Sequence, residues 1–319
     1  MKKALSILLA ATMFFSLMTG CDSDVETTPV SLDKVGDFSS QPADAPETLT
    51  LPQGMMGNGM KVGDLQNVNL MGDRADLQWS GEPLDLYVTL YNANESENTF
   101  ALYMIVDQNQ ISFCVDGAAE SQKVYMAVMP PQSYTVIPVR ITSDQIPSEL
   151  SMHDLWILSD GIVPAVGSEP DKSKKRTMAY RLNLISGEKY WAASEQEELI
   201  PEDVPIQESP MVFTSRTRIR EANKNVLPLR RDATNITLQF SGEYSGLAQT
   251  FLLLDYQTLP LTESSDSMIW FELENQNFTH SYLLDNSAAS VGSEIFLLTL
   301  PVGRDGMPDT SERYVLSEP

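Results

Sequence analysis

The sequence predicts an all-β chain built as two antiparallel β-sandwiches, and three observations lead there. Apolar and polar side chains alternate with a period of two at Leu84, Leu86, Val88 and Leu90, and again at Ile137, Val139 and Ile141, the pattern of half-buried strands. Turn-forming clusters such as 92–98 and Pro130-Pro131 recur about every ten residues, as sandwiches require. The chain has 319 residues and a hydrophobic fraction of 42%, enough for two modest cores.

Taken in order, the chain opens on a leader. Lys2 and Lys3 precede an uncharged apolar run over 4–18, too short for a membrane-spanning helix and right for a signal-peptide core. Leu17-Met18-Thr19-Gly20-Cys21 resembles the lipobox of bacterial lipoproteins, with Met18 where leucine is commonest. The resemblance implies cleavage after residue 20 and a diacylglyceryl thioether on Cys21. Two acyl chains, with about 0.8 kcal/mol per buried CH₂, attach a protein stably to a membrane. The mature chain would then sit on the extracytoplasmic face of the bacterial cell membrane. Asp22 resembles an inner-membrane retention signal if the cell is Gram-negative.

Residues 21–60 are acidic and rich in Ser, Thr and Pro, and are expected to be a disordered tether because few apolar side chains offset the ordering entropy. Met55, Met56 and Met60 could supply thioethers to Cu(I), but with no His or Cys beside them they read as an entry into the first domain. That domain is expected over 61–190. Its strands are the alternating runs named above, the continuous apolar run Phe100 to Val106, the alternation of Val124, Met126 and Val128, and a strand or short helix at Trp156-Ile157-Leu158. The interval from Asn92 to Ile141, with Val106-Asp107-Gln108-Asn109 and Pro130-Pro131-Gln132-Ser133 as its turns, resembles bacterial CARDB and related Ig-like adhesion modules. The resemblance implies Ig-like sandwiches that act as spacers or binding platforms.

Lys172, Lys174, Lys175 and Arg176 form a basic run that reads as an exposed loop. Residues 191–210, acidic and carrying Pro201, Pro205 and Pro210, read as the inter-domain linker. The second domain is expected over 211–319, with alternation at Ile236, Leu238 and Phe240 and at Ile269, Phe271 and Leu273. Strand spacing places Arg216, Arg218 and Arg220 on one face. They are the candidate charged contact surface, toward the acidic linker or an anionic wall polymer; a solvent-facing strand is the plainer reading. An internal echo links Phe100 to Asp107 with Phe251 to Asp255, each a strand that runs into an aspartate.

Chemistry is sparse. The two histidines, His153 and His280, fall in different domains, and Cys114 is the one cysteine left if Cys21 carries lipid. No zinc spacing, nucleophile elbow or phosphate-cradling glycine loop is present. Asp305, Asp309 and Glu312 fail the EF-hand spacing. No catalytic, cofactor-binding or metal site is therefore expected, and no cofactor. A formal charge of −23 argues against nucleic acid as a partner. The expected function is that of a non-enzymatic envelope lipoprotein, attached to the membrane by its lipid and binding, adhering to or scaffolding an envelope protein or wall polymer. Two alternatives are an envelope hydrolase with a carboxylate pair and a solute-capture lipoprotein of a transporter. Trp79, Trp191 and Trp270 could contact a ligand but are expected mostly in the core.

Overall fold

The computed structural model describes residues 30–40, 45–51, 57–64, 74–107, 109–147, 152–162, 177–186, 218–221, 235–240, 246–259, 268–273, 278–283, 290–301, 308–311 and 313–316. The described residues form strands and one 3₁₀ turn, Ser143–Gln145, so the all-β expectation holds.

The first sandwich has two six-stranded sheets. One contains β1 (Val30–Lys34), β2 (Thr48–Leu51), β3 (Asn58–Asp64), β5 (Leu84–Asn92), β8 (Cys114–Val115) and β10 (Ser133–Ile141). The other contains β4 (Arg74–Gln78), β6 (Asn98–Val106), β7 (Asn109–Gln110), β9 (Val124–Met129), β11 (Met152–Ile162) and β12 (Thr177–Ile185). The alternating residues meet between the sheets: Leu86, Val88 and Leu90 from β5 and Ile137, Val139 and Ile141 from β10 pack against Phe100, Leu102 and Met104 from β6 and Leu155 and Ile157 from β11. Trp79 closes this core and Trp156 is buried on the far side of the second sheet. Segment 156–158 is strand, not helix, because both faces of β11 are covered.

The expected tether is ordered where it is described. β1 and β2 form a hairpin, and β1 pairs in parallel with β10, Asp33 opposite Ser133. Val30 and Leu32 alternate with polar residues, as do Leu49 and Leu51, and they join Tyr87, Tyr134 and Val136 in a small core of their own. Composition averaged over 21–60 hides these four side chains, and it cannot show that β10 offers a free edge. The first sandwich therefore begins upstream of residue 61. It is also not wholly antiparallel, since β4 pairs in parallel with β12.

Beyond residue 210 lie a three-stranded sheet, β13 (Arg218–Glu221), β14 (Asn235–Phe240) and β18 (Phe278–Leu283), and a second sheet. The latter contains β15 (Gly246–Leu254), β16 (Gln257–Leu259), β17 (Met268–Leu273), β19 (Glu294–Pro301), β20 (Asp309–Thr310) and β21 (Tyr314–Val315). It packs onto the outer face of the first sandwich: Phe251, Leu253, Phe296, Leu298 and Leu300 meet Tyr103, Ile105, Trp156 and Leu158 in one buried cluster. The β6-containing sheet is thus covered on both faces, which explains the continuous apolar run of β6.

The sequence echo has a structural counterpart with a shifted register. β6 and β15 are nine residues each and run directly into Asp107 and Asp255, whose φ angles are 51° and 47°. Each aspartate exchanges two hydrogen bonds with the neighbouring strand. The Asp107 N–H donates to the Asp154 carbonyl at 2.8 Å, and its Oδ1 accepts the Asp154 N–H at 2.9 Å. The Asp255 N–H donates to the Glu294 carbonyl at 2.8 Å, and its Oδ1 accepts the Glu294 N–H at 2.8 Å. Matching the aspartates aligns Tyr103 with Phe251, not Phe100 with Phe251. Both aligned residues face the shared cluster.

Candidate partner-binding edge

β9 pairs with β6 on one side, and no strand among the described residues pairs with its other side. Its six residues, Val-Tyr-Met-Ala-Val-Met, include no charge and no proline, the devices that usually blunt an edge. Alternation sends Ala127 and Met129 into the core of the first sandwich. Val124, on the opposite face, packs at the margin of the inter-sheet cluster. Met126 and Val128 continue that face into solvent, 47% and 60% exposed. Among the described residues the strand offers an unpaired backbone edge flanked by two apolar side chains at i and i+2, the features an added strand needs.

The polar clusters elsewhere are closed. Asp160, fully buried on β11, accepts from the Tyr103 hydroxyl at 2.8 Å and the Thr177 hydroxyl at 2.6 Å. The Arg313 Nη2 lies 2.6 Å from its Oδ1, with Glu294 3.7 Å from Nη1. The contact is ionic and not a directed hydrogen bond, because neither Nη atom meets hydrogen-bond geometry. The guanidinium lies over the Phe296 ring at 3.8 Å and the Tyr256 ring at 5.3 Å. Burial opposes its charge, but Asp160 first, then Tyr256, Tyr103 and Glu294, outweigh burial and hold its pKa above the ordinary value. Burial, reinforced by Asp160 and opposed by Arg313, pushes the Tyr103 hydroxyl well up. Burial likewise raises Tyr256, with Arg313 opposing and Asp160 adding. This group fastens two sheets together, with Asp160, Tyr103, Tyr256 and Arg313 all buried.

His153 and Asp154 face opposite ways, as neighbours on a strand should. The His153 Nδ1–H donates to Asp107 Oδ2 at 2.8 Å, and its ring meets Trp79 edge-on at 5.5 Å. Asp154 accepts from Arg181 Nε at 2.9 Å. The Asp107–His153 pair spans 46 residues, and its sequence signal was only an aspartate at a strand end. With His153 fully buried, the pair is structural. Gln110 joins the two halves: its Nε2 donates to the Tyr256 carbonyl at 2.7 Å, and its Oε1 accepts from the Thr258 N–H at 2.9 Å.

Of the sequence-predicted residues, Cys21 and Arg216 lie outside the described residues. Arg218 and Arg220 are on β13, opposite Gln239 and Thr237, so their backbone positions share one face of an edge strand. Trp191, the basic run 172–176, Asp305 and Glu312 also fall outside the description. Trp270 is on β17 and His280 on β18. Cys114, half-buried in β8, is opposite Arg140. Asp309 is in β20, opposite Thr299. Among the described residues no group of three or more His, Cys, Asp or Glu side chains is placed to hold a metal ion.

No protein-family model and no curated protein matches this sequence. Among solved structures, the chain is similar to the periplasmic chaperone SfaE, at 10% identity over 82% of this chain and 100% of that one, with a TM-score of 0.26. It is similar to the E. coli chaperone DraB, at 10% identity over 82% of this chain and 97% of that one, with a TM-score of 0.27. It also resembles a Salmonella enterica SafA pilin in complex with the SafB chaperone, at 10% identity over 81% of this chain and 96% of that one, with a TM-score of 0.27. At TM-scores of this size no ligand or partner is transferred from these structures to this chain.

Proposed function

We propose that this chain is a non-enzymatic lipoprotein of the bacterial cell envelope, fixed by lipid on Cys21 to the extracytoplasmic face of a membrane, and that it binds a protein partner by strand addition along β9. The supporting observation is the edge itself: an uncharged, proline-free strand, unpaired on one side among the described residues, with Met126 and Val128 exposed on one face. Backbone hydrogen bonds give affinity in this mode, and alternate side chains give selectivity. The anchor rests on the lipobox residues.

Two experiments test the two parts. Mass spectrometry of the native protein should find a diacylglyceryl group on Cys21, and Cys21→Ala should move the chain to the soluble fraction; an unmodified cysteine ends the lipoprotein reading. A photo-crosslinking residue at position 128 should give a discrete adduct in cells that Met126→Lys abolishes. The same residue at Val315, also exposed, should give none. Equal labelling from both positions rejects β9 as the binding edge.

A further inference from the structure

The position of β1 sets the length of the membrane leash. Eight residues separate Cys21 from Val30, a contour of about 32 Å over nine Cα steps, whereas a tether running to residue 60 would reach about 140 Å. β1 is secured at several points. The Asp33 N–H donates to the Gln132 carbonyl at 3.0 Å and the Val35 N–H to the Tyr134 carbonyl at 2.8 Å. Leu32 is fully buried. Further on, the backbone N–H groups of Ser39 and Ser40 both donate to the Asp116 carboxylate at 3.0 Å. Lengthening the leash would require stripping this segment from the sandwich.

The register also states which end the leash leaves from. β1 runs parallel to β10 with Asp33 opposite Ser133, so Val30 projects past the start of β10. At that end β5 finishes, with Asn92 opposite Ser133. There β3 begins, with Asn58 opposite Asn92, and β6 begins, with Asn98 opposite Met129. Side-chain amides close the end. Asn58 Oδ1 accepts from Asn98 at 2.6 Å and from Asn94 at 2.9 Å, and Asn92 donates to the Pro130 carbonyl at 2.9 Å. The Asp107–His153 pair and Trp79 lie at the other end, about 27 Å away along β6.

We infer that the mature protein stands with its asparagine-closed end toward the membrane and its Asp107–His153 end away from it. This inference rests on the lipid anchor proposed above. With a contour of about 32 Å against about 27 Å between the ends, the leash reaches an outward-turned attachment only when drawn nearly straight along the body; its relaxed span is about 17 Å, so chain entropy keeps the attached end near the bilayer. Val128, opposite Thr99, belongs to the near end, so the β9 edge faces proteins that are themselves at the membrane surface. The exposed Glu95 and Glu97 of the near turn hold this end off anionic headgroups and do not insert it.

The test uses the full lipid-modified chain in phosphatidylcholine vesicles that carry a headgroup quencher. In a Cys114→Ser background, a fluorophore is placed at Glu95→Cys or Asn109→Cys, exposed positions at opposite ends of β6. Quenching at 95 should exceed quenching at 109 by about twofold or more, and an insert of roughly 30 Gly/Ser residues after Asp24 should erase the difference. Equal or reversed quenching in protein that floats with the vesicles overturns the orientation and leaves the anchor standing. Failure to float removes the anchor, and the orientation with it.

Discussion

Asp160 is fully buried, and among the described residues the cation that meets it is Arg313. Breaking such a pair is costly because the surviving charge stays buried. Arg313→Met should therefore destabilise the protein by about 3–5 kcal/mol in chemical denaturation. Adding Asp160→Asn should restore most of that loss, since it removes the stranded charge; the amide oxygen accepts from one of the two hydroxyls that now donate to separate carboxylate oxygens, and the amide NH2 donates to the other hydroxyl oxygen. A double variant as weak as the single would show that packing on Phe296, and not charge, is what Arg313 supplies. The same cluster sets an alkaline limit. Tyr103 and Tyr256 have folded pKa values raised above the ordinary 10.0, so the unfolded chain loses those protons first. Their contribution is whole below about pH 10 and is lost as pH rises through the folded values, so the melting temperature should fall steeply above pH 10. Tyr103→Phe should blunt that fall. Gly59 is fixed by space: a Cβ there would lie 1.5 Å from the Tyr91 ring. Gly59→Ala should cost about 1–3 kcal/mol as the ring is displaced.

The β1–β2 hairpin and the segment after it behave as a strap on the first sandwich. Asp116 holds the strap through the Ser39 and Ser40 backbone and hydroxyl groups. Those bonds, the Ser39 N–H foremost, keep its carboxyl below the ordinary 3.8. With a lowered folded pKa, the hold is complete above that ordinary value and is lost as pH falls through the folded one. The protection of the Ser39 and Ser40 amides, measured against their intrinsic exchange at each pH, should fall in acid, and Asp116→Ala should show the low protection already at neutral pH. Unchanged exchange in the variant would mean that Phe38 packing alone retains the strap. This element was hidden in the sequence, whereas β5, β6, β9 and β10 were legible. The legible strands carry three or more alternating or continuous apolar residues, a signal that survives averaging. β1 and β2 carry two each and depend on a neighbour far along the chain. Arg218 and Arg220 lie on β13, a strand that the local period also predicts. The β9 edge was not legible as a site, because alternation at Val124, Met126 and Val128 reads alike whether the outward face is covered or bare. Only the arrangement of the sheets shows that the cluster covering Val124 stops short of Val128.

The two halves of the chain meet over an apolar face, which changes what can be expected of them as separate pieces. The linker composition of 191–210 suggested domains joined by a spacer, yet Phe251, Leu253, Phe296, Leu298 and Leu300 are buried against Tyr103, Trp156 and Leu158. Gln110 adds two hydrogen bonds across the junction. Gln110→Ala would strand a buried carbonyl and N–H, at about 1–3 kcal/mol. If the halves share one cooperative unit, this loss should lower the midpoint of a single calorimetric transition and should not split it in two. A segment comprising residues 211–319 alone would expose the whole apolar face, larger than a soluble monomer ordinarily leaves bare. It should bind ANS and self-associate in size exclusion, while Phe251→Lys with Leu298→Glu should relieve the association. A monomeric, ANS-silent fragment would show that the face closes on itself and that the junction is an accident of proximity. The equivalent turns at Asp107 and Asp255 favour a built junction, because they align the two nine-residue strands so that Tyr103 and Phe251 point into the same cluster from opposite sides.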